Sequence, residues 1–165
     1  MSEWEPNTGA SDEWYTPRHV LDALGVEFDM DVAAPFGGPR HVPTKRYLWR
    51  DSLESEWDGF VWMNPPFGAR NGLEPWLHRF FNHGDGVALT PDRTSAPWWQ
   101  QAARQADVIL LTAGKVKFER PDGSVGGSPG AGVTLWAAGP RGVMALLNAQ
   151  RAGLGSVWAP FGSAA

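Results

Sequence analysis

The chain reads as an α/β protein built on a mostly parallel sheet, and three features of the sequence predict it. Apolar runs of strand length alternate with amphipathic runs of helix length from residue 16 to residue 151. Strands end at Asp31, Asn64 and Pro91, each breaking into a loop ahead of the next helix. Stretches rich in glycine and proline, such as AAPFGGPRHVP (33–43), separate the periodic runs. In open parallel sheets ligands bind at the carboxyl ends of strands, so those three strand ends are the first place to look for a site.

Residues 1–13 are polar and read as a flexible N-terminal segment, leaving 14–165 as one domain, a length that buries a core without staples. TPRHVLDAL (16–24) predicts a helix: Thr16 can cap it, Pro17 suits the first helical position, and Val20, Leu21 and Leu24 share a face. Gly25 stops it. VEFDMDV (26–32) alternates and reads as a strand, followed by a Gly/Pro loop over 33–43. DSLESEW (51–57) reads as a short helix capped by Asp51 or Ser52. GFVWMN (59–64) is an apolar strand running into a Pro-Pro turn. Helices follow at 72–83, 95–106 and 141–151, and strands at 86–91, 107–113 and 132–138, with a hairpin expected in KVKFERPDGS after residue 114.

Composition narrows the function classes. There are no cysteines, which excludes disulfides and Cys-ligated zinc, and His19, His41, His78 and His83 show no ligand spacing, so no metal is expected. No apolar run reaches transmembrane length and the acidic N-terminus lacks a signal-like stretch, so no membrane association is expected. The net charge is −4, but it is unevenly spread: residues 1–31 carry −7 and residues 32–165 carry +3. Arg40, Lys45, Arg46 and Arg50 cluster without an acid, a pattern that suits a solvated loop or a phosphate-facing edge. Ten tryptophans are many; core packing accounts for most, since a buried indole needs a partner for its N–H, and stacking on flat heterocycles is the functional use.

The chemistry centres on Asn64-Pro65-Pro66-Phe67. Asn and Pro are common in ordinary strand-to-helix turns, but two prolines also stiffen a turn by fixing φ and removing donors. Such a turn can aim one amide, neighbouring carbonyls and one ring at a single point. Asn64 Oδ1 and the Pro65 carbonyl can each accept a hydrogen bond from an amino group on a planar heterocycle, and Phe67 can stack on its ring. No general base is needed; catalysis would be positioning plus electrostatic preorganisation.

Asp51-Ser52-Leu53 precedes FVWMNPPF, with Asn64 thirteen residues after Asp51. This resembles the acid–turn–strand–NPP(F/Y) pattern of amino-group methyltransferases. The ordered set DEWYTP, FDMDVAAP, DSLESEW, NPPF, LTPDRTSAPWW and GKVKF is similar to phage-type DNA adenine N6-methyltransferases across residues 12–138. The resemblance implies a Rossmann-like methyltransferase fold, S-adenosylmethionine as cofactor, and methylation of adenine N6 in DNA after base flipping. It implies cofactor contacts at Trp14, Tyr15, Thr16, Pro17, Asp31, Ala33 and Asp51, catalysis at Asn64, Pro65, Pro66 and Phe67, and work in the cytoplasm of a bacterial host, from a phage or prophage gene. DNA contacts are expected at Arg46, Arg50, Arg93, Thr94, Lys115 and Lys117. Methylation of RNA or of a protein side-chain amide shares the motif, and an inactive DNA-binding relative is a further alternative.

The chain departs from the family pattern. The glycine-rich first loop is replaced by DVAAPFGG, and only 32 residues separate Asp31 from Asn64, room for about one crossover unit. An abbreviated central sheet is therefore expected, mostly parallel with a β-hairpin addition. The cofactor ribose is assigned to Asp31, with Asp29 as the alternative, and DNA specificity to loops 33–50 and 119–131.

Overall fold

The computed structural model describes residues 14–67, 72–126 and 132–161. In chain order the elements are α1 (Arg18–Leu24), β1 (Phe28–Asp31), β2 (Thr44–Tyr47), β3 (Val61–Met63), α2 (Glu74–His83), β4 (Gly86–Pro91), α3 (Pro97–Gln105), β5 (Val108–Thr112), β6 (Val133–Ala138), α4 (Gly139–Arg151) and β7 (Gly155–Trp158). The strands form one seven-stranded sheet in the order β2-β1-β3-β4-β6-β5-β7. Strands β2, β1, β3 and β4 are parallel; β6, β5 and β7 continue the sheet antiparallel.

Strand alternation sends side chains to two faces, and helices cover both. Trp62, Val87, Leu89, Leu110 and Leu135 meet α1 and α4 on one face; Val61, Met63, Ala88 and Trp136 meet α2 and α3 on the other. Two buried indoles find partners inside the sheet. Trp136 Nε1 donates to Thr90 Oγ1 at 2.8 Å, and Trp99 Nε1 donates to Thr134 Oγ1 at 3.0 Å, the two threonines being cross-strand partners. Helix α4 lies very close to β4: a Cβ on Gly142 would stand 2.4 Å from the Gly86 carbonyl oxygen.

The sheet differs from the abbreviated, mostly parallel one expected: it has seven strands, and three of its six pairings are antiparallel. Only the connection between Asp31 and Asn64 is short. Between β1 and β3 it holds a single strand, β2, reached from β1 by residues 32–43 without a helix. The polar run TKRY gives no alternation because three of its four residues are exposed on the sheet edge. Residues 51–57 form a turn, not the expected helix. The Asp51 carbonyl accepts the Glu54 and Ser55 N–H groups, but Asp51 itself has φ of +49°, outside the helical region. The expected hairpin after residue 114 is reduced to one bridge between Glu119 and Val125 and does not join the sheet. The antiparallel part is supplied by β5, β6 and by β7, a strand not expected from sequence. The segment 1–13 and part of the 119–131 loop, 127–131, lie outside the described residues.

Candidate active site

The parallel strands β1 and β3 end side by side, and a cleft of about 610 Å³ opens beyond them. Its floor is buried Thr16, Ala34, Ser52, Trp62 and Pro65, and its rim carries the exposed aromatic rings of Trp14, Phe36, Trp49 and Phe67. The size falls within the range of about 300–1,000 Å³ usual for small-molecule and cofactor sites.

Most of the residues singled out in the sequence meet here. Trp14, Tyr15, Thr16, Ala33, Arg50, Asp51 and all four residues Asn64 to Phe67 line the cleft. The key contact joins two motifs far apart in sequence: Asn64 Nδ2 donates to Thr16 Oγ1 at 3.0 Å. With its nitrogen committed to Thr16, the amide presents Oδ1 as the acceptor. Phe67 stands edge-on to Phe118, with ring centroids 6.4 Å apart.

Asp31 is placed otherwise than expected. It ends β1 but is only 3 % exposed and does not line the cleft. Its Oδ1 accepts the Ala33 N–H at 3.1 Å, closing the turn that carries the Ala33–Pro35 wall. Burial pushes its carboxyl up to about 7, while the Ala33 N–H works in the opposite direction. Asp29, the alternative, is engaged elsewhere: it accepts the Phe60 N–H at 2.8 Å and Lys45 Nζ at 3.0 Å and pairs with Arg141. The Phe60 N–H and Lys45 hold its carboxyl below the usual range. Pro17 is buried ahead of α1 and stays outside the cleft.

The expected DNA contacts divide. Arg50 lies in the cleft wall, but Arg46 is on the edge strand β2 and pairs with Asp58 at 2.9 Å. Arg93 and Thr94 are exposed in the loop after β4, and Lys115 and Lys117 are exposed on either side of buried Val116; none of the four lines the cleft.

A clasp that sequence reasoning missed ties the walls together. Tyr15 and Glu119 exchange backbone hydrogen bonds of 2.9 Å. The Arg40 guanidinium sits 4.0 Å from the Tyr15 ring centre and donates to the carbonyls of Arg120 and Pro121 at 2.9 and 2.7 Å. His41 Nε2 lies 2.9 Å from Glu119 Oε2. These contacts bring together segments remote in the chain, and no local pattern announces them. Phe36 and Trp49 were also missed, although aromatic residues inside an otherwise Gly/Pro-rich and basic stretch were a visible signal.

Among known families, residues 5–151 match the one described as DNA N-6-adenine-methyltransferase (Dam). No curated protein and no solved structure matches the chain.

Proposed function

The chain belongs to the DNA N-6-adenine-methyltransferase family, and from that premise we propose that it transfers a methyl group from S-adenosylmethionine to N6 of adenine in DNA. The observation that carries the reading is the Asn64–Thr16 hydrogen bond of 3.0 Å, which fixes an amide at the end of β3 whose oxygen accepts no hydrogen bond from the described residues.

The cleft suits the cofactor on its own chemistry. It offers flat aromatic surface at Trp14 and Tyr15, a carboxylate at Asp51, and small side chains at Ala33 and Ala34 where a ligand can approach the backbone closely. Those residues, with Thr16, would hold it; Asp31 would act through the turn it closes. The chemistry that S-adenosylmethionine supplies when bound is an electrophilic methyl group on a sulfonium. The chain's own part is positioning. Asn64 Oδ1 accepts from the N6 amino group and draws the nitrogen toward a pyramidal geometry with its lone pair exposed. Thr16 holds the amide in that orientation beforehand, so no reorganisation is needed at the moment of transfer. Phe67 stacks on an adenine that has left the duplex.

Incubation of the protein with labelled S-adenosylmethionine and unmethylated DNA, RNA or protein, followed by nucleoside analysis, tests the reading. N6-methyladenine in DNA is expected. Asn64→Ala is expected to lose the rate by about two to three orders of magnitude, on the scale of a lost preorganised hydrogen bond of about 3–4 kcal/mol, while keeping cofactor affinity. Transfer at the parental rate by Asn64→Ala would remove the tetrapeptide from the mechanism. Label confined to RNA or protein would redirect the substrate.

A further inference from the structure

Phe36 and Trp49 are 74 % and 43 % exposed at the cleft rim, with ring centroids 5.1 Å apart at an interplanar angle of 78°. Their placement is built. The Gly38 N–H donates to the Pro35 carbonyl at 3.0 Å, closing a four-residue turn that carries Phe36 at its second position. Gly37 has φ of +94°, a conformation that only glycine takes up without strain, and a Cβ there would meet nothing within 4 Å, so backbone geometry alone requires it. The Ala34 N–H donates to the Leu48 carbonyl at 2.9 Å, which ties the segment before Phe36 to the segment before Trp49. The Arg50 guanidinium lies 4.9 Å from the Trp49 ring centre and makes no ion pair among the described residues.

We propose that Phe36 and Trp49 form a stacking platform for the nucleobase next to the target adenine, with Arg50 facing that nucleotide's phosphate. The inference rests on the reading that the cleft takes adenine from DNA. When a base leaves the stack, its neighbour exposes a flat face to water, and that face needs a replacement partner. An aromatic pair held at the mouth of the cleft beside a cation with no ion pair among the described residues matches a base and its phosphate together. The pair does not suit the cofactor as well. Phe36 and Trp49 meet edge to face, leaving no slot between them for a second ring, and Phe36 is the most exposed of the aromatic residues at the cleft.

The test uses the intact chain with S-adenosylhomocysteine present. The probes are a fluorescently labelled thymidine oligonucleotide with one central adenine and the same oligonucleotide with abasic positions on both sides of that adenine. Affinity is measured by anisotropy for the parent, Phe36→Ala and Trp49→Ala, and S-adenosylhomocysteine affinity without DNA by calorimetry. Both variants are expected to bind the first oligonucleotide about 5- to 150-fold more weakly than the parent, the range for one lost base stack. On the abasic probe the parent is expected to fall to the level of the variants, which lose no more. Equal affinity of parent and variants, or the same loss on both probes, would overturn the platform while leaving methyl transfer by the parent intact. A loss of S-adenosylhomocysteine affinity would assign the pair to the cofactor and overturn it too. A parent that neither binds DNA nor methylates it would instead bring down the underlying reading, and the platform with it. Because Phe36 is so exposed, Phe36→Ala is expected to melt as the parent does, so a loss of binding reports the surface and not the fold.

Discussion

Asp31 sets up the sharpest test of the electrostatics beneath the cleft. A carboxyl with an ordinary value of 3.8 is pushed up to about 7 by burial at the end of β1. The native state then binds more protons than the unfolded chain between these values. Stability therefore falls as pH rises from about 3.8 to about 7, and is flat with respect to this group above that. At about 1.4 kcal/mol per pH unit, the interval from 3.8 to about 7 amounts to about 4 kcal/mol. An asparagine in place of the acid keeps the shape and the acceptor for the Ala33 N–H but carries no charge. Asp31→Asn is thus expected to match the parent near pH 4 and to exceed it at pH 8 by up to about 4 kcal/mol, some 8–16 °C in Tm for a chain of this size, roughly. Melting curves of both proteins across pH 4–8 measure it. Titration of Asp29 and every other shared group cancels in the difference between the two proteins. Parallel pH profiles would refute the argument, since they would mean that the carboxyl ionises normally in the fold. The same position separates structure from binding. If Asp31 acts through the Ala33 turn, Asp31→Asn keeps S-adenosylhomocysteine affinity and Asp31→Ala loses it.

Other outcomes follow from single contacts. Thr16→Val removes the hydroxyl that orients Asn64 and is expected to slow methyl transfer about 2- to 12-fold, the worth of one net hydrogen bond of about 0.5–1.5 kcal/mol; Thr16→Ser should restore the rate, and kinetics of the three proteins checks this. Gly142→Ala places a Cβ 2.4 Å from the Gly86 carbonyl and is expected to destabilise by about 1–3 kcal/mol, read as a lower Tm. Arg50→Ala is expected to reduce the salt slope of DNA binding by about one phosphate contact, whereas Arg46→Ala, whose guanidinium is paired with Asp58 in the parent, should leave it nearly unchanged; binding titrations at several salt concentrations compare them.

What was legible in the sequence was whatever is encoded locally. The central strands β3, β4, β5 and β6 are apolar runs because both faces are covered by helices, and the helices after them show an apolar stripe for the same reason. Asn64 to Phe67 stood out because a strand end and a stiff turn are local features, whereas Asp51 was singled out only through the resemblance to the family pattern. Strand β2 was illegible because an exposed edge strand has no face to bury, so TKRY shows basic residues and no alternation. Strand β7, GSVW, is four residues long and among the described residues pairs with β5 alone, too little for a pattern to form. The burial of Asp31 was illegible for a different reason: whether a carboxylate at a strand end faces a cleft or lies beneath it depends on the chain that later folds over it.

The shortened crossover explains why loops carry so much of this site. With no helix between β1 and β2, the turn after β1 cannot present a helix N-terminus to a ligand. The chain closes that turn with the Asp31 side chain instead, on the Ala33 N–H, and small alanines stand where a glycine-rich loop would. The rest of the crossover is then free of helical geometry, and it places Phe36 at the tip of one turn and Asp51 in a left-handed conformation at another. Loops of this kind need external bracing to hold a shape. The Arg40 contacts with Tyr15, Arg120 and Pro121, and the His41–Glu119 pair, brace them against the 119–125 segment. One consequence is that residues 33–50 would form a cofactor wall on the inside and a nucleic-acid surface on the rim. Substitutions there should couple the two binding events more strongly than substitutions in α3, which covers one face of the sheet and contributes no residue to the cleft. Cofactor affinity measured with and without DNA for variants of both regions checks this, and equal coupling in the two sets would refute it.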